Sequence, residues 1–130
     1  MDVVDFLRNY AKEIGGQFSE YDSNKSIIVV PLDQGRFQTV IGSMVEENQR
    51  TTLEISSRIC RYKQSIKLEE LLIENANLVY SKFVILDDYL NMTARIGLKS
   101  VSPEVLREIV REVSEVADYW EQRLAGVDVH

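Results

Sequence analysis

The residues from which a chemical role would have to be built are the carboxylates Asp87-Asp88, the single cysteine Cys60, the amide Asn75 and the basic run Arg58, Arg61, Lys63 and Lys67. Adjacent carboxylates hold a divalent cation or share a proton when further oxygen ligands converge on them. Asp87 and Asp88 separate two strand-like patterns, where aspartate serves as turn chemistry, and a turn is the expected role. Cys60 has cationic neighbours, which lower a thiol pKa and raise its reactivity. No second cysteine or nearby histidine accompanies it, so packing or an edge position is expected. The basic run is of the kind that meets phosphate or an acidic partner. Only Tyr62 is interleaved, so the aromatic platform of a single-strand binder is missing and a solvated strand end is expected. Asn75 falls on an apolar stripe between Leu72 and Val79. A buried amide must find hydrogen-bond partners, so Asn75 is expected to tie its helix to a neighbouring backbone, a ligand contact being the alternative.

His130 is the only histidine and the last residue, a poor position for a general base. Serine–histidine and cysteine–histidine catalysis and histidine-rich metal binding are therefore not expected. No phosphate-binding loop or dinucleotide fingerprint occurs. No catalytic, cofactor-binding or metal-ligating residue is assigned, and no cofactor is expected. The competing reading is a small-ligand or metal-binding protein, or an enzyme, using Asp87, Asp88 and Cys60.

Composition narrows the remaining classes. With 130 residues, 45% hydrophobic and 28% charged, the chain suits one domain around one core. Its net charge of -6 disfavours nucleic acid, whose phosphates it repels on average. One cysteine fits a reducing compartment. The acidic start MDVVDF is unlike a signal peptide, and no apolar run approaches the roughly 18 residues of a membrane helix. A soluble cytoplasmic protein is expected.

The elements that would position these residues follow from periodicity. Val3, Phe6, Leu7, Tyr10, Ala11 and Ile14 recur at helical spacing until Gly15-Gly16. QFSEY and SIIVVPL read as short strands around the turn DSNK, with Pro31 at a strand end or edge. A long hairpin follows. Its first strand carries Phe37, Thr39, Ile41, Ser43 and Val45 on one face. After EENQR, its second alternates Leu53, Ile55, Ser57 and Ile59 with Glu54, Ser56, Arg58 and Cys60. Leu68, Leu71, Leu72, Asn75, Ala76 and Val79 predict a second helix starting near Ser65. Phe83–Asp87 and Leu90–Leu98 predict a second hairpin around Asp88-Tyr89. A last helix opens with Ser102 as N-cap and Pro103 at the first helical position. It carries the stripe Leu106, Ile109, Val110, Val113, Ala117, Trp120 and Leu124, and is expected to end at Gly126. Glu104, Glu108, Arg111, Glu112 and Glu115 fill its polar side, as on any exposed helix. The predicted fold class is α+β, an antiparallel sheet flanked by three helices in the order helix, strands, helix, two strands, helix. One domain spans residues 1–126, with a short tail at 127–130.

The segment LEELLIENANLVYSKFVILDDYLNMTARIGLKSVSPEVLREIVREVSEVAD, Leu68 to Asp118, resembles the C-terminal half of type III secretion chaperone-like proteins, including the YbjN-like bacterial branch. The resemblance rests on the LL…NA helix, the short strand after it, the Leu90–Leu98 strand and the serine-capped helix carrying VAD. The N-terminal half departs from the typical chaperone, with SIIVVPL as an added strand. The resemblance implies a homodimer, and for the secretion chaperones the binding of an extended client segment along apolar surface. It places the subunit contact on the second helix and the strand after it. Ile73 and Tyr80 point away from the expected buried face of that helix, and Phe83-Val84-Ile85-Leu86 is apolar on both sides. The expected dimer interface is Ile73, Asn77, Tyr80, Val84 and Leu86. The expected function is that of a non-catalytic protein-binding module, chaperone-like or adaptor-like; a structural subunit of a larger complex is a further alternative.

Overall fold

The structure is a computed structural model that describes residues 1–128. The described residues form an α+β fold: α1 (Val3–Glu13), β1 (Gln17–Asp22), β2 (Lys25–Pro31), β3 (Phe37–Glu47), β4 (Arg50–Arg61), α2 (Leu68–Asn75), β5 (Ser81–Leu86), β6 (Tyr89–Gly97) and α3 (Pro103–Asp128). All six strands make one antiparallel sheet in the order β1-β2-β3-β4-β6-β5. Only the β4–β6 neighbours are not joined by a short connection, and α2 and β5 occupy the intervening chain. The edges are therefore β1 and β5.

The β3–β4 and β5–β6 hairpin tips turn on residues with positive φ, Asn48 (51°) and Gln49 (64°), then Asp87 (50°) and Asp88 (66°). Two-residue turns of this hand match the strand twist, and Asn and Asp tolerate the left-handed region better than most residues. The α1–β1 connection is tighter. Gly15 has φ 73°, and a Cβ on Gly16 would stand 2.2 Å from the Val29 carbonyl oxygen. Only glycine lets α1 turn back onto β2 there.

Helices α1 and α3 lie on the same face of the sheet. The stripe Leu106, Ile109, Val110, Val113, Ala117 and Trp120 is buried against Val40, Leu53, Ile55, Leu90 and Met92. As expected, the Ser102 hydroxyl accepts from the Val105 N–H at 3.2 Å and caps α3. The helix runs on to Asp128, past Gly126. A glycine lowers helix propensity by about 1 kcal/mol but does not forbid continuation.

The register decides which side of β3 is packed. Gly42 pairs with Ile55 and Met44 with Leu53, so the inward set is Gln38, Val40, Gly42 and Met44. The set Phe37, Thr39, Ile41, Ser43 and Val45 lies on the outer face, which no helix covers. Inward Gln38 is tolerated because its amide donates to Ser57 Oγ (2.9 Å) and the Arg58 carbonyl (3.0 Å). Ser57 in turn donates to the Thr39 carbonyl at 2.7 Å. Asp118, also buried, accepts from Arg36 Nε (3.2 Å) and Gln122 Nε2 (2.9 Å) and ties the β2–β3 loop to α3.

The second helix differs from its expected form. It begins at Leu68, not near Ser65, because residues 64–66 make a separate turn closed by Ile66 N–H to the Lys63 carbonyl (3.0 Å), which buries Ile66. It ends at Asn75, leaving Ala76 as its cap and Val79 in the following loop. Of Leu68, Leu71, Leu72, Ala76 and Val79, only Leu71 is buried. The core face of the sheet is already occupied by α1 and α3, so an eight-residue helix at the sheet's end reaches it with one side chain.

Candidate interaction surface

Asn75 sits where its helix meets the edge strand. Its Oδ1 accepts from the Phe83 N–H at 2.7 Å, and its own carbonyl accepts from Lys82 Nζ at 3.0 Å. Lys82 also donates to the Leu78 carbonyl at 3.1 Å. The expected tie between helix and neighbouring backbone is thus made, although Asn75 is half-buried rather than buried.

The loop between α2 and β5 is held from the other side by Glu112 of α3. One carboxylate oxygen accepts from the Tyr80 N–H (2.9 Å), the Ser81 N–H (2.7 Å) and the Ser81 hydroxyl (2.7 Å); the other accepts from the Val79 N–H (3.0 Å). Burial alone would raise the Glu112 pKa. The bonds from the Ser81 hydroxyl and from the three backbone N–H groups outweigh it and hold the carboxyl below its usual range. The Tyr80 hydroxyl donates to Glu108 one turn earlier, and that carboxylate pushes the phenol above its ordinary value. Glu112 is therefore an anchor for the 76–81 segment, where an ordinary exposed position was expected. Its place beside Ile109 and Val113, at the margin of the stripe, was the only hint in the sequence.

Between them, Asn75, Lys82, Glu108 and Glu112 fix a surface of unusual composition. Leu68 (40% exposed), Leu72 (68%), Ile73 (62%), Val79 (75%), Val84 (36%), Ile85 (47%) and Leu86 (57%) are seven of the eleven exposed large hydrophobics among the described residues. They come from α2, the loop after it and β5. The two sheet edges contrast sharply in chemistry. β1 reads QFSEYD, with charges of the kind that discourage strand pairing, whereas β5 reads SKFVIL and its one lysine is turned to the carbonyls of Asn75 and Leu78. Of the expected interface residues, Ile73, Asn77, Val84 and Leu86 are exposed, and Tyr80 is half-buried through its bond to Glu108. Val84 and Leu86 lie on the outer face of the sheet; Ile73 and Asn77 belong to α2 and its exit.

The remaining candidates are dispersed. Asp87 and Asp88 serve as turn residues, as expected, but the turn lies one residue earlier than Asp88-Tyr89, because Tyr89 pairs with Leu86 and opens β6; no group of three or more His, Cys, Asp or Glu among the described residues is placed to hold a metal ion. A bulge at Arg58/Cys60 sets Ile59 and Cys60 against Leu90, so Cys60 is half-buried against the core rather than on the polar side of its strand. Arg58 stacks 3.8 Å from the Tyr89 ring centroid and Arg61 stands 5.5 Å from it. His130 lies outside the described residues. No helix among them is long and apolar enough to cross a membrane. No protein-family model matches the chain, and no curated protein is significantly similar to it.

Proposed function

We propose that this chain is a non-catalytic, chaperone-like or adaptor-like protein of the cytoplasm that works as a homodimer and binds a segment of a client protein. The observation that carries the reading is the concentration of exposed apolar side chains on α2, its exit loop and edge strand β5. Apolar side chains exposed together on neighbouring elements mark an interaction site. The order helix, strands, helix, two strands, helix is also the order that the resemblance to type III secretion chaperone-like proteins implies. In the dimer, α2 and β5 of one copy meet the same elements of a second across a twofold axis through their side chains, and Ile73, Asn77, Tyr80, Val84 and Leu86 meet their counterparts. The outer sheet face, with Phe37 63% exposed, is left as a surface for an extended client segment.

A twofold contact places each residue at the interface twice, so Ile73→Glu introduces two unpaired charges. Ile73 is exposed within one chain, so folding should survive. Light scattering after size exclusion should show a dimer for the native chain at micromolar concentration and a folded monomer for the variant. A native chain that is monomeric under those conditions sinks the dimer, and these side chains must then serve another protein directly.

A further inference from the structure

The hairpin of β3 and β4 opens as it runs away from its tip. The strands pair from Glu47 and Arg50 only as far as Ile41 and Ser56, although β3 begins at Phe37 and β4 continues to Arg61. The bulge at Arg58/Cys60 falls in this unpaired stretch, and a bulge bends the strand that carries it. Side chains bridge the gap: the Gln38 amide nitrogen donates to Ser57 Oγ and the Arg58 carbonyl, and Ser57 donates to the Thr39 carbonyl. Over the gap, on the outer face of the sheet, lies a hollow of about 600 Å³, within the roughly 300–1,000 Å³ of small-ligand sites.

The wall of this hollow selects one kind of occupant. Gln38 is 5% exposed, and its bond to the Arg58 carbonyl fixes which end of the amide is nitrogen. The amide oxygen accepts from no donor among the described residues, so a nearly buried acceptor is left open on the hollow, where an N–H group would satisfy it. Arg58, in the same wall, forms no ion pair among the described residues. Its guanidinium is held over the Tyr89 ring and keeps its donors for an anion. The carboxylates of the wall are placed unevenly. Glu54 is neutralised by Arg95 at 2.7 Å, whereas Glu121 accepts from the Gln38 amide nitrogen at 3.4 Å and forms no ion pair among the described residues. An anion is repelled from the Gln38 end and drawn to Arg58. Phe37, 63% exposed, and half-buried Ile41 supply apolar surface beside them.

We propose that this hollow captures the carboxyl-terminal residue of the client segment. Its main-chain N–H bonds to the Gln38 oxygen, its carboxylate meets Arg58, and an apolar side chain lies against Phe37 and Ile41. At a chain end the donor and the anion are attached to the same carbon, which suits one open acceptor and one open cation in a single wall. The proposal rests on the outer sheet face being the client surface, and adds which part of the client that face reads.

The probe is a short N-acetylated peptide ending in leucine with a free carboxylate. Isothermal titration into the full chain should show saturable binding of one peptide per chain. The same peptide ending in a carboxamide, an amidated peptide with an internal glutamate, and free leucine should each bind at least tenfold more weakly. Arg58 is exposed, so Arg58→Gln should fold normally and erase the preference for the free carboxylate. If that variant melts lower, Phe37→Ala, at an exposed position, should still weaken binding several-fold. Equal binding of either amidated peptide overturns recognition of the chain end and leaves the client surface standing. Equal binding of free leucine makes the ligand an amino acid and overturns the proposal. A preference for the carboxylate that persists in folded Arg58→Gln overturns it too. Binding of none of the peptides up to millimolar concentration removes the client surface together with it.

Discussion

Replacing Glu112 by alanine removes four hydrogen bonds at once, from Val79, Tyr80 and both donors of Ser81. Their loss is unequal. Val79 is 75% exposed, so water replaces its partner at little cost. The Ser81 hydroxyl rotates toward another acceptor. The amides of Ser81, which is fully buried, and of half-buried Tyr80 have no such recourse. Each buried donor left unpaired costs roughly 1–3 kcal/mol, so the variant should lose about 3 kcal/mol. With a urea slope of about 2 kcal/mol/M for a small domain, the midpoint falls by about 1.5 M. Glu112→Gln keeps an acceptor toward Ser81 and loses only the charge and the exposed Val79 bond, about 1 kcal/mol. The acid dependence has a definite sign. The folded-state pKa of Glu112 is lowered, so its contribution is present above the ordinary carboxyl range and is lost as pH falls through the folded value. The stability gap between the native protein and the Glu112→Gln variant should therefore close in acid. Urea titrations at pH 7 and in acid, at one protein concentration because a dimer's stability depends on it, measure both effects. A Glu112→Ala midpoint equal to the native one, or a gap between native and Glu112→Gln proteins that persists in strong acid, refutes the anchoring role.

Trp120→Ala should cost roughly 3–5 kcal/mol, seen as a much lower denaturation midpoint, because Trp120 is 5% exposed and meets Phe83 edge to face at 5.5 Å. Gln49→Gly should raise the melting temperature by a few degrees, a gain of about 1 kcal/mol, since Gln49 holds φ 64° at the second position of its turn.

Patterns carried within one element were legible in the chain. The period of α3, its Ser102-Pro103 start, the alternation of β4 and the turn chemistry of Asp87-Asp88 are set by neighbours a few residues away, and the structure has each of them. The α+β order followed from those patterns. Tertiary structure decided what depends on which surfaces compete for the core. The stripe on α2 looked buried because Leu68, Leu72 and Val79 fall at helical spacing. α1 and α3 fill the covered face of the sheet, and α2 is left with Leu71 alone inside. The same competition turned Phe37 outward, because pairing with inward Ile55 and Leu53 fixed the register of β3. The bulge at Arg58/Cys60 turned Cys60 toward the core, against the strand's plain alternation. Glu112 was invisible as an anchor because its partners, Val79 to Ser81, lie more than thirty residues earlier and become neighbours only when α3 crosses the sheet. Spacing records which side chains share a face of one helix or strand; which face meets water is settled only when all the elements pack together.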